Sequence, residues 1–124
     1  PDEWLAKLAP GKGGALGAKL RVALDGIHAA VTDVGDGRTI IRLSGRHARD
    51  VLAKGTTIDL HAAAFVPGQC AETLIARTGA LIHCTAPGRG KPDSFEVIVA
   101  ISFAEYLWTW LEDAGREYGV RVST

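Results

Sequence analysis

The sequence predicts an α+β fold with a mainly antiparallel sheet and helices on one face of it. Runs rich in β-branched residues are separated by short turn signals at Gly35-Asp36-Gly37, Pro67-Gly68 and Thr78-Gly79, and such short connections join neighbouring antiparallel strands. Stretches with apolar residues at 3.6-residue spacing lie before, between and after these runs, which indicates amphipathic helices. A parallel sheet would need a crossover between every pair of strands, so the antiparallel arrangement is favoured.

The first third of the chain is predicted to form a strand, a helix and the first arm of a hairpin. Residues 2–8 hold three large apolar side chains and are followed by a Pro-Gly pair, which favours a short strand. Residues 16–27 are predicted to be helical, because their apolar side chains fall on one face. Residues 30–34 and 38–44 are predicted to pair across the Asp-Gly turn. The apolar helix face consists of Leu16, Leu20, Ala23, Leu24 and Ile27.

The rest of the chain is predicted to contain two helices and further strands. Residues 46–54 form a short helix that begins near Ser44 or Gly45 and is capped by Gly55. The strongest helical pattern covers residues 103–118, and the loop at 86–93 is expected to be the most mobile segment. Strands are predicted at 70–77, 80–85 and 95–101, with a turn at Thr78-Gly79 and a short last strand at 120–122. The apolar arc of the last helix consists of Phe103, Leu107, Trp110, Leu111, Ala114 and Tyr118.

Composition restricts the classes of function. The 124 residues are 47% hydrophobic, which suits a single domain over residues 1–124. Lys plus Arg and Asp plus Glu number 14 each, so there is no basic field for a nucleic acid. No apolar run could span a bilayer, and we expect a cytoplasmic protein with no membrane contact. The chain begins at Pro1 and contains no Met, so we expect the full-length chain to have a further N-terminal segment.

The loop Gly11-Lys12-Gly13-Gly14 lies where a phosphate-binding loop would lie in a nucleotide-binding unit. A dinucleotide fingerprint would require a small residue where Leu16 stands. A Walker loop would require Gly at Ala6 and Ser or Thr at Gly13. Both patterns fail, and we interpret the loop as a flexible connector.

The remaining polar residues do not form a recognisable catalytic or metal-binding motif. The four histidines and two cysteines lack ligand pairs two to four residues apart, and adjacent His83 and Cys84 would point to opposite faces of a strand. Ser44, His47 and Asp50 resemble a triad only in sequence, so Ser44 is interpreted as a helix cap. Asp59 and His61 are interpreted as a local polar pair in a surface turn. We therefore predict no catalytic, cofactor-binding or metal-binding residue.

The two cysteines, Cys70 and Cys84, are predicted to be free thiols. With Thr78-Gly79 as a two-residue turn, Cys84 would face Thr73, while Cys70 would point to the other side of the sheet. A cytosolic setting also keeps thiols reduced.

Trp108 is the candidate for a partner interface. On the last helix it lies about 110° from the centre of the apolar arc, whereas Trp110 lies within that arc. A large aromatic side chain at the edge of a helix face is either a partly buried shoulder of the core or an anchor for another chain. Both interpretations of Trp108 stay open at this point.

An ordered set of motifs covers nearly the whole chain. The motifs are Pro1-Asp2-Glu3-Trp4-Leu5, Arg42-Leu43-Ser44-Gly45, Ala48-Arg49-Asp50-Val51-Leu52-Ala53-Lys54-Gly55, Asp59-Leu60, Phe65, Pro67-Gly68-Gln69-Cys70-Ala71, Ser102-Phe103-Ala104-Glu105-Tyr106-Leu107-Trp108 and Trp110-Leu111. Together they resemble the gamma subunit family of heterotetrameric sarcosine oxidase. Ser-Gly before a helix and Pro-Gly-Gln before a strand are shared more loosely with the folate-binding fold of the glycine cleavage T-protein, and that kinship implies ferredoxin-like elements of the aminomethyltransferase folate-binding-domain type. The chain departs from the family in its short N-terminus and in Gly35-Asp36-Gly37 at the hairpin.

The resemblance implies a function for the chain within an oxidoreductase complex. The complete enzyme of that family demethylates sarcosine to glycine with oxygen, gives peroxide and passes the one-carbon unit to tetrahydrofolate. FAD, FMN, NAD and tetrahydrofolate are attributed to the alpha and beta subunits, so this chain is expected to be their non-catalytic structural partner.

Two alternatives to this function stay open. The first is a free-standing folate-binding aminomethyltransferase-like or tRNA-modification protein, against which the short chain argues. The second is the equivalent subunit of another N-methyl amine demethylase, which the sequence does not separate from a sarcosine oxidase subunit.

Overall fold

The computed structural model describes residues 2–85 and 92–123, and the chain divides into two compact units, one up to Asp36 and one from Gly37. In the first unit, residues 2–8 form neither a helix nor a strand, so the predicted first strand is wrong. Trp4 is 90% exposed there. Such a segment gains neither the ladder hydrogen bonds nor the burial that stabilise a strand.

The first unit contains one helix, α1 (Gly13–Ala23). Two of the glycines that we interpreted as a connector, Gly13 and Gly14, form its first turn. The observed helix ends at Ala23, whereas the predicted helix extends to residue 27. Gly26 adopts a φ of 76° just after the last turn, and this conformation favours the end of the helix there. Ile27 is consequently outside the helix and exposed. The inner side of α1 is only half-buried, at Leu16, Gly17 and Leu20.

The second unit is a four-stranded antiparallel sheet with two helices, which confirms the predicted α+β class. The strands follow the spatial order β1-β4-β3-β2, and every neighbouring pair is antiparallel. The elements are β1 (Arg38–Ser44), α2 (Ala48–Ala53), β2 (Cys70–Ile75), β3 (Thr78–Thr85), β4 (Ser94–Ala100) and α3 (Ala104–Gly115), with single turns of 3₁₀ helix at Gly35–Gly37, Ile101–Phe103 and Arg116–Tyr118.

The predicted hairpin between residues 30–34 and 38–44 is wrong. Residues 30–34 are not in a strand, and β1 pairs instead with β4, from Arg38 opposite Ala100 to Ser44 opposite Ser94. Strand β4 offers β1 a buried, β-branched neighbour, and packing against such a neighbour stabilises a strand more than a local turn does. The predicted strand at 120–122 is also absent from these described residues.

The turn between β2 and β3 lies at Ala76 and Arg77, not at Thr78-Gly79, because Ile75 is paired with Thr78. The backbone N–H of Ala76 donates to the carbonyl oxygen of Gly55 at 2.8 Å and anchors this turn. Cys70 therefore faces His83. The change in register leaves the two thiols on opposite faces, because it moves the strands past each other by an even number of residues. The prediction of free thiols is confirmed, with Cys70 exposed and Cys84 buried.

The core lies between α2, α3 and one face of the sheet. Val51 and Leu52 of α2 and Leu107 and Leu111 of α3 pack there against inward side chains of the strands. The inward strand residues are Ile41, Ile75, Ala80, Ile82, Cys84, Phe95, Val97 and Val99.

The ends of α2 differ from the predicted caps. His47 is the N-cap residue of α2, and its side chain forms no capping hydrogen bond. Ser44 is the last residue of β1, so the predicted Ser44 cap is wrong. At the other end Lys54 is the capping residue. Gly55 instead permits a close approach, because a Cβ there would lie 2.5 Å from the ring of Trp110.

No helix in the described ranges is long and apolar enough to cross a membrane.

Candidate partner interface

Four exposed apolar side chains lie along residues 101–108, in the 3₁₀ turn before α3 and in the first turns of α3, and we call this stretch the α3 surface. Its members are Ile101, Phe103, Tyr106 and Trp108, which are 59%, 48%, 39% and 39% exposed. Phe103 was predicted to be part of the apolar core arc, and that assignment is wrong. The 3₁₀ turn at Ile101–Phe103 precedes the regular helix and does not share its 3.6-residue phase. Tyr106 and Trp108 are two residues apart and so lie about 200° apart around the helix, which makes each a separate candidate for an interaction site.

The buried side of α3 holds this surface in place. Leu107 is fully buried and Leu111 is 6% exposed, and the half-buried Trp110 packs against the core. Trp110 therefore contributes to the core as predicted, while Trp108 lies at its edge. The two tryptophans are separated by about 200° around the helix, so they cannot face the same environment. Whether Trp108 contacts a partner stays a prediction.

Arg49 of α2 is the most highly connected polar side chain near the core. Its Nε donates to Asp93 at 2.6 Å, and Nη1 donates to the carbonyl oxygens of Leu60 and Phe65 at 2.6 and 2.9 Å. The guanidinium also lies 5.2 Å from the ring centre of Phe95. The hydrogen bond to Asp93 raises the pKa of Arg49 further above its ordinary value. Arg49 thus connects α2 to the 60–65 segment and to the start of β4, which is a structural role.

Cys84 is the thiol closest to Arg49, with Nη2 at 3.8 Å from Sγ. Burial raises the pKa of the Cys84 thiol, although the Arg49 charge acts in the opposite direction. The thiol is therefore kept neutral inside the core, where a thiolate would be costly. Nothing in this geometry makes Cys84 a nucleophile.

A second polar cluster joins the 3₁₀ turn Arg116–Tyr118 to α2, and the sequence analysis did not predict it. The His47 ring stacks on Tyr118 with ring centres 4.4 Å apart, and its Nδ1 lies 2.9 Å from Asp50. Lys54 Nζ lies 4.8 Å from the centre of the same Tyr118 ring and also pairs with Glu117. Spacing alone could have suggested the His47–Asp50 pair, but the role of Tyr118 depends on a long-range contact.

The remaining motif residues occupy ordinary structural positions. The carboxylate of Asp33 lies at the start of α1, 3.1 Å from where a Cβ of Gly13 would be. A carboxylate there satisfies the positive end of the helix and would repel a phosphate. The Asp59 carboxylate accepts from the backbone N–H of His61 at 2.8 Å, which confirms the turn interaction. In residues 2–85 and 92–123, Ser44 forms no hydrogen bond with His47 or Asp50, and no group of three potential metal ligands occurs.

A family model described as sarcosine oxidase, gamma subunit family, matches residues 1–117 of the chain. The chain belongs to the sarcosine oxidase gamma subunit family. Within this family, the sarcosine oxidase gamma subunits of Arthrobacter sp. and of Corynebacterium sp. (strain P-1) are each 35% identical over 118 residues, which is 95% of this chain and 55% of each relative. The chain thus spans about half the length of the curated relatives that it matches.

Two further similarities agree with this family. An aminomethyltransferase of Saccharopolyspora erythraea is 28% identical over 120 residues, which is 97% of this chain and 32% of that protein. A chain of heterotetrameric sarcosine oxidase from Corynebacterium sp. U-96, solved with pyrrole 2-carboxylate, superposes with a TM-score of 0.79 at 28% identity over 95% of this chain and 56% of that chain. This chain is therefore similar in sequence to one aminomethyltransferase as well as to the gamma subunits.

Proposed function

We propose that this chain is a non-catalytic structural subunit of a heterotetrameric sarcosine oxidase, which oxidatively demethylates sarcosine to glycine and transfers the one-carbon unit to tetrahydrofolate. The observation that carries the proposal is the similarity, over 95% of this chain, to a chain of that assembled enzyme. The partners are the alpha and beta subunits in the cytoplasm, and those subunits hold FAD, FMN, NAD and tetrahydrofolate. This chain supplies a rigid surface to them.

The α3 surface is the part of this chain that we propose to contact a large subunit, with Trp108 as its anchor. Binding energy at protein interfaces is concentrated in a few aromatic and Arg side chains that become buried on association. Trp108 is exposed enough to bury further area, and its neighbour Leu107 is fully buried, which holds this part of α3 in place. A preformed surface of this kind loses little conformational entropy on binding.

The first experiment compares Trp108→Ala with Trp110→Ala. Trp108→Ala is expected to leave the Tm of the purified chain nearly unchanged and to weaken its co-purification with the large subunits. Trp110→Ala is expected to destabilise the chain by about 3 kcal/mol, because it leaves a cavity above Gly55. Thermal unfolding and a pull-down with tagged alpha subunit measure the two effects.

Leu74→Ala is the matched control for the pull-down, because Leu74 is a 62% exposed apolar residue on the sheet face away from α3. It should change neither the Tm nor co-purification appreciably. If Trp108→Ala destabilises the chain as strongly as Trp110→Ala does, both tryptophans are core residues and the α3 surface is not the interface. If Leu74→Ala weakens co-purification as much as Trp108→Ala, the partner covers a different face.

A free-standing folate-binding protein is the second candidate, and the similarity to an aminomethyltransferase favours it. A gamma subunit of the proposed kind should not bind folate by itself, because its polar clusters at Arg49 and Tyr118 are already satisfied by residues of the chain. Isothermal titration of the purified chain with tetrahydrofolate should show no tight one-to-one binding. A tight isotherm would contradict the structural role and support the second candidate.

The substrate of the complex is a further part of the proposal. A structural subunit carries no residue that reads the substrate, so the equivalent subunit of another N-methyl amine demethylase would have the same features. Oxygen consumption by the co-purified complex with sarcosine, compared with other N-methyl amines, tests this part. Preference for a different amine would contradict sarcosine as the substrate and leave the structural role intact.

A further inference from the structure

A row of four polar side chains crosses the sheet on the face away from α2 and α3. The strand pairing places Arg42 opposite Glu96, Glu96 opposite His83, and His83 opposite Cys70. Because cross-strand partners share a face, the row runs from one edge of the sheet to the other as cation, carboxylate, imidazole and thiol. Neither the hydrophobic core cluster nor the α3 surface includes any of these side chains.

Glu96 is the fixed member of this row. Its side chain is only 6% exposed, and its carboxylate oxygens lie 3.3 Å from Arg42 Nε and 3.5 Å from His83 Nδ1. A buried carboxylate beside one ring nitrogen favours the tautomer with the proton on that nitrogen. His83 Nε2 is then the nitrogen that can accept a proton.

Cys70 lies on the other side of His83 from Glu96. The two residues are directly opposite on β2 and β3, and directly opposite residues have Cβ atoms about 4.5–5.5 Å apart. Rotation of the exposed Cys70 side chain beside the half-buried His83 ring can therefore bring Sγ within hydrogen-bond reach of Nε2. The thiol itself is exposed, in contrast to the buried Cys84. A nucleophile, a base and a group that orients the base are the parts of an activated thiol.

We propose that Cys70 is a modification site, a reactive thiol that His83 activates and Glu96 orients, and that it forms mixed disulfides with small disulfides such as oxidised glutathione. His83 Nε2 accepts the proton of the Cys70 thiol, and the thiolate attacks one sulfur of the small disulfide. A bond forms between Cys70 Sγ and that sulfur, while the disulfide bond of the reagent breaks. The second glutathione leaves as a thiolate and takes up the proton held by His83. Cys70 is thereby oxidised to a mixed disulfide, and one glutathione is reduced to its thiol.

The test measures each cysteine separately in the protein as it is purified, with its partner chains if they co-purify. Oxidised glutathione is added, the reaction is stopped with acid, and peptide mass spectrometry follows the mixed disulfides with time. Trypsin cleaves after Arg77 and so places Cys70 and Cys84 in different peptides. Cys70 is expected to react at least about tenfold faster than Cys84, because only Cys70 is exposed.

Variants at His83 separate activation from simple exposure. His83→Ala should lower the rate at Cys70 by about tenfold or more, because the proton acceptor is lost, and added imidazole should restore much of that rate. His83→Gln keeps a polar side chain beside Glu96 without a base, and it serves as the second variant if His83→Ala folds poorly. His28→Ala removes an exposed histidine of the first unit and should leave the rate unchanged. Glu96→Gln should also slow the reaction, since Glu96 positions the base.

Three results would overturn the proposal. The first is an unreactive Cys70 in the native protein. The second is equal reactivity of the two cysteines. The third is a native rate in both His83 variants, which would make Cys70 an exposed thiol without an activating base. A native rate in Glu96→Gln would overturn the positioning role of Glu96. The experiment does not depend on the α3 surface. A failure of the Cys70 proposal can therefore be distinguished from a failure of the proposed subunit role.

Discussion

Gly55 is the residue at which a missing side chain lets a tryptophan ring reach the backbone. A Cβ at this position would lie 2.5 and 2.8 Å from two carbons of Trp110 and 3.1 Å from the backbone nitrogen of Ala76. The same residue accepts the hydrogen bond that fixes the β2–β3 turn. Gly55 therefore couples α2, α3 and the hairpin, although the sequence suggested only a helix cap.

Gly55→Ala is expected to destabilise the chain, because the added methyl group would force the Trp110 ring away from the core. Overpacking of this kind commonly costs about 1–3 kcal/mol in the free energy of unfolding. Chemical denaturation of the purified chain measures the change.

Gly79→Ala is the matched control for this substitution. Gly79 lies in β3 with no neighbour within 4 Å of an added Cβ, and replacing Gly in a strand should not destabilise it. Equal destabilisation by both substitutions would show that backbone freedom, and not the contact with Trp110, is what Gly55 contributes.

At the scale of elements, the positions of β1, α2, β3, β4 and α3 were predicted well from the sequence, because each has an uninterrupted pattern of one period. The prediction failed where an element depends on a distant partner. The register of β2 on β3 is fixed by a hydrogen bond from Ala76 to Gly55, which no local pattern encodes. Similarly, β1 pairs with β4 and not with the preceding residues. The edge position of Trp108 followed from helical spacing alone, whereas exposed Phe103 did not, because the helix starts with a 3₁₀ turn.

The 3₁₀ turn after α3 is held on α2 by the pair formed by Lys54 and Glu117. The hydrogen bond from Lys54 lowers the pKa of Glu117, and the same bond raises the pKa of Lys54. Because the pKa of Glu117 is lower in the folded chain, its carboxylate stabilises the fold at pH values above the ordinary glutamate pKa. This stabilisation is lost as the pH falls through the lowered pKa. The raised pKa of Lys54 stabilises the fold below the ordinary lysine pKa, and this contribution is lost as the pH rises through the raised value.

Glu117→Gln is therefore expected to lower the Tm slightly near neutral pH, and the difference from the native chain should vanish in acid and in strong alkali. The effect should be small and should shrink with added salt, because both side chains are substantially exposed. Thermal unfolding across the pH range measures it. Glu112→Gln on α3 is the control, and a pH-independent difference for Glu117→Gln would contradict a role of the ion pair.

At the scale of the whole molecule, the described chain has one hydrophobic core. The buried apolar side chains of the described residues all lie between Ile41 and Leu111, and α1 contributes no buried residue. That the whole chain folds as a single domain stays a prediction, and a chain with a single core usually unfolds in one transition. The first unit should then depend on the rest of the chain for its order, since an isolated helix of 11 residues is marginal in water.

A fragment that begins at Gly37 is accordingly expected to fold and to retain most of the stability of the full chain. It contains every residue of the core cluster, in its four strands, in its two helices and, for Leu60 and Phe65, in the segment between α2 and β2, so the contacts of these residues with one another are retained. The full chain should show one unfolding transition by circular dichroism, and the fragment should show one as well, with its Tm lowered by only a few degrees. A fragment of residues 1–36 should show little helix, because α1 lacks buried contacts of its own. An unfolded 37–124 fragment would mean that the first unit is an indispensable part of the domain, whereas two separate transitions in the full chain would mean that the two units are independent domains.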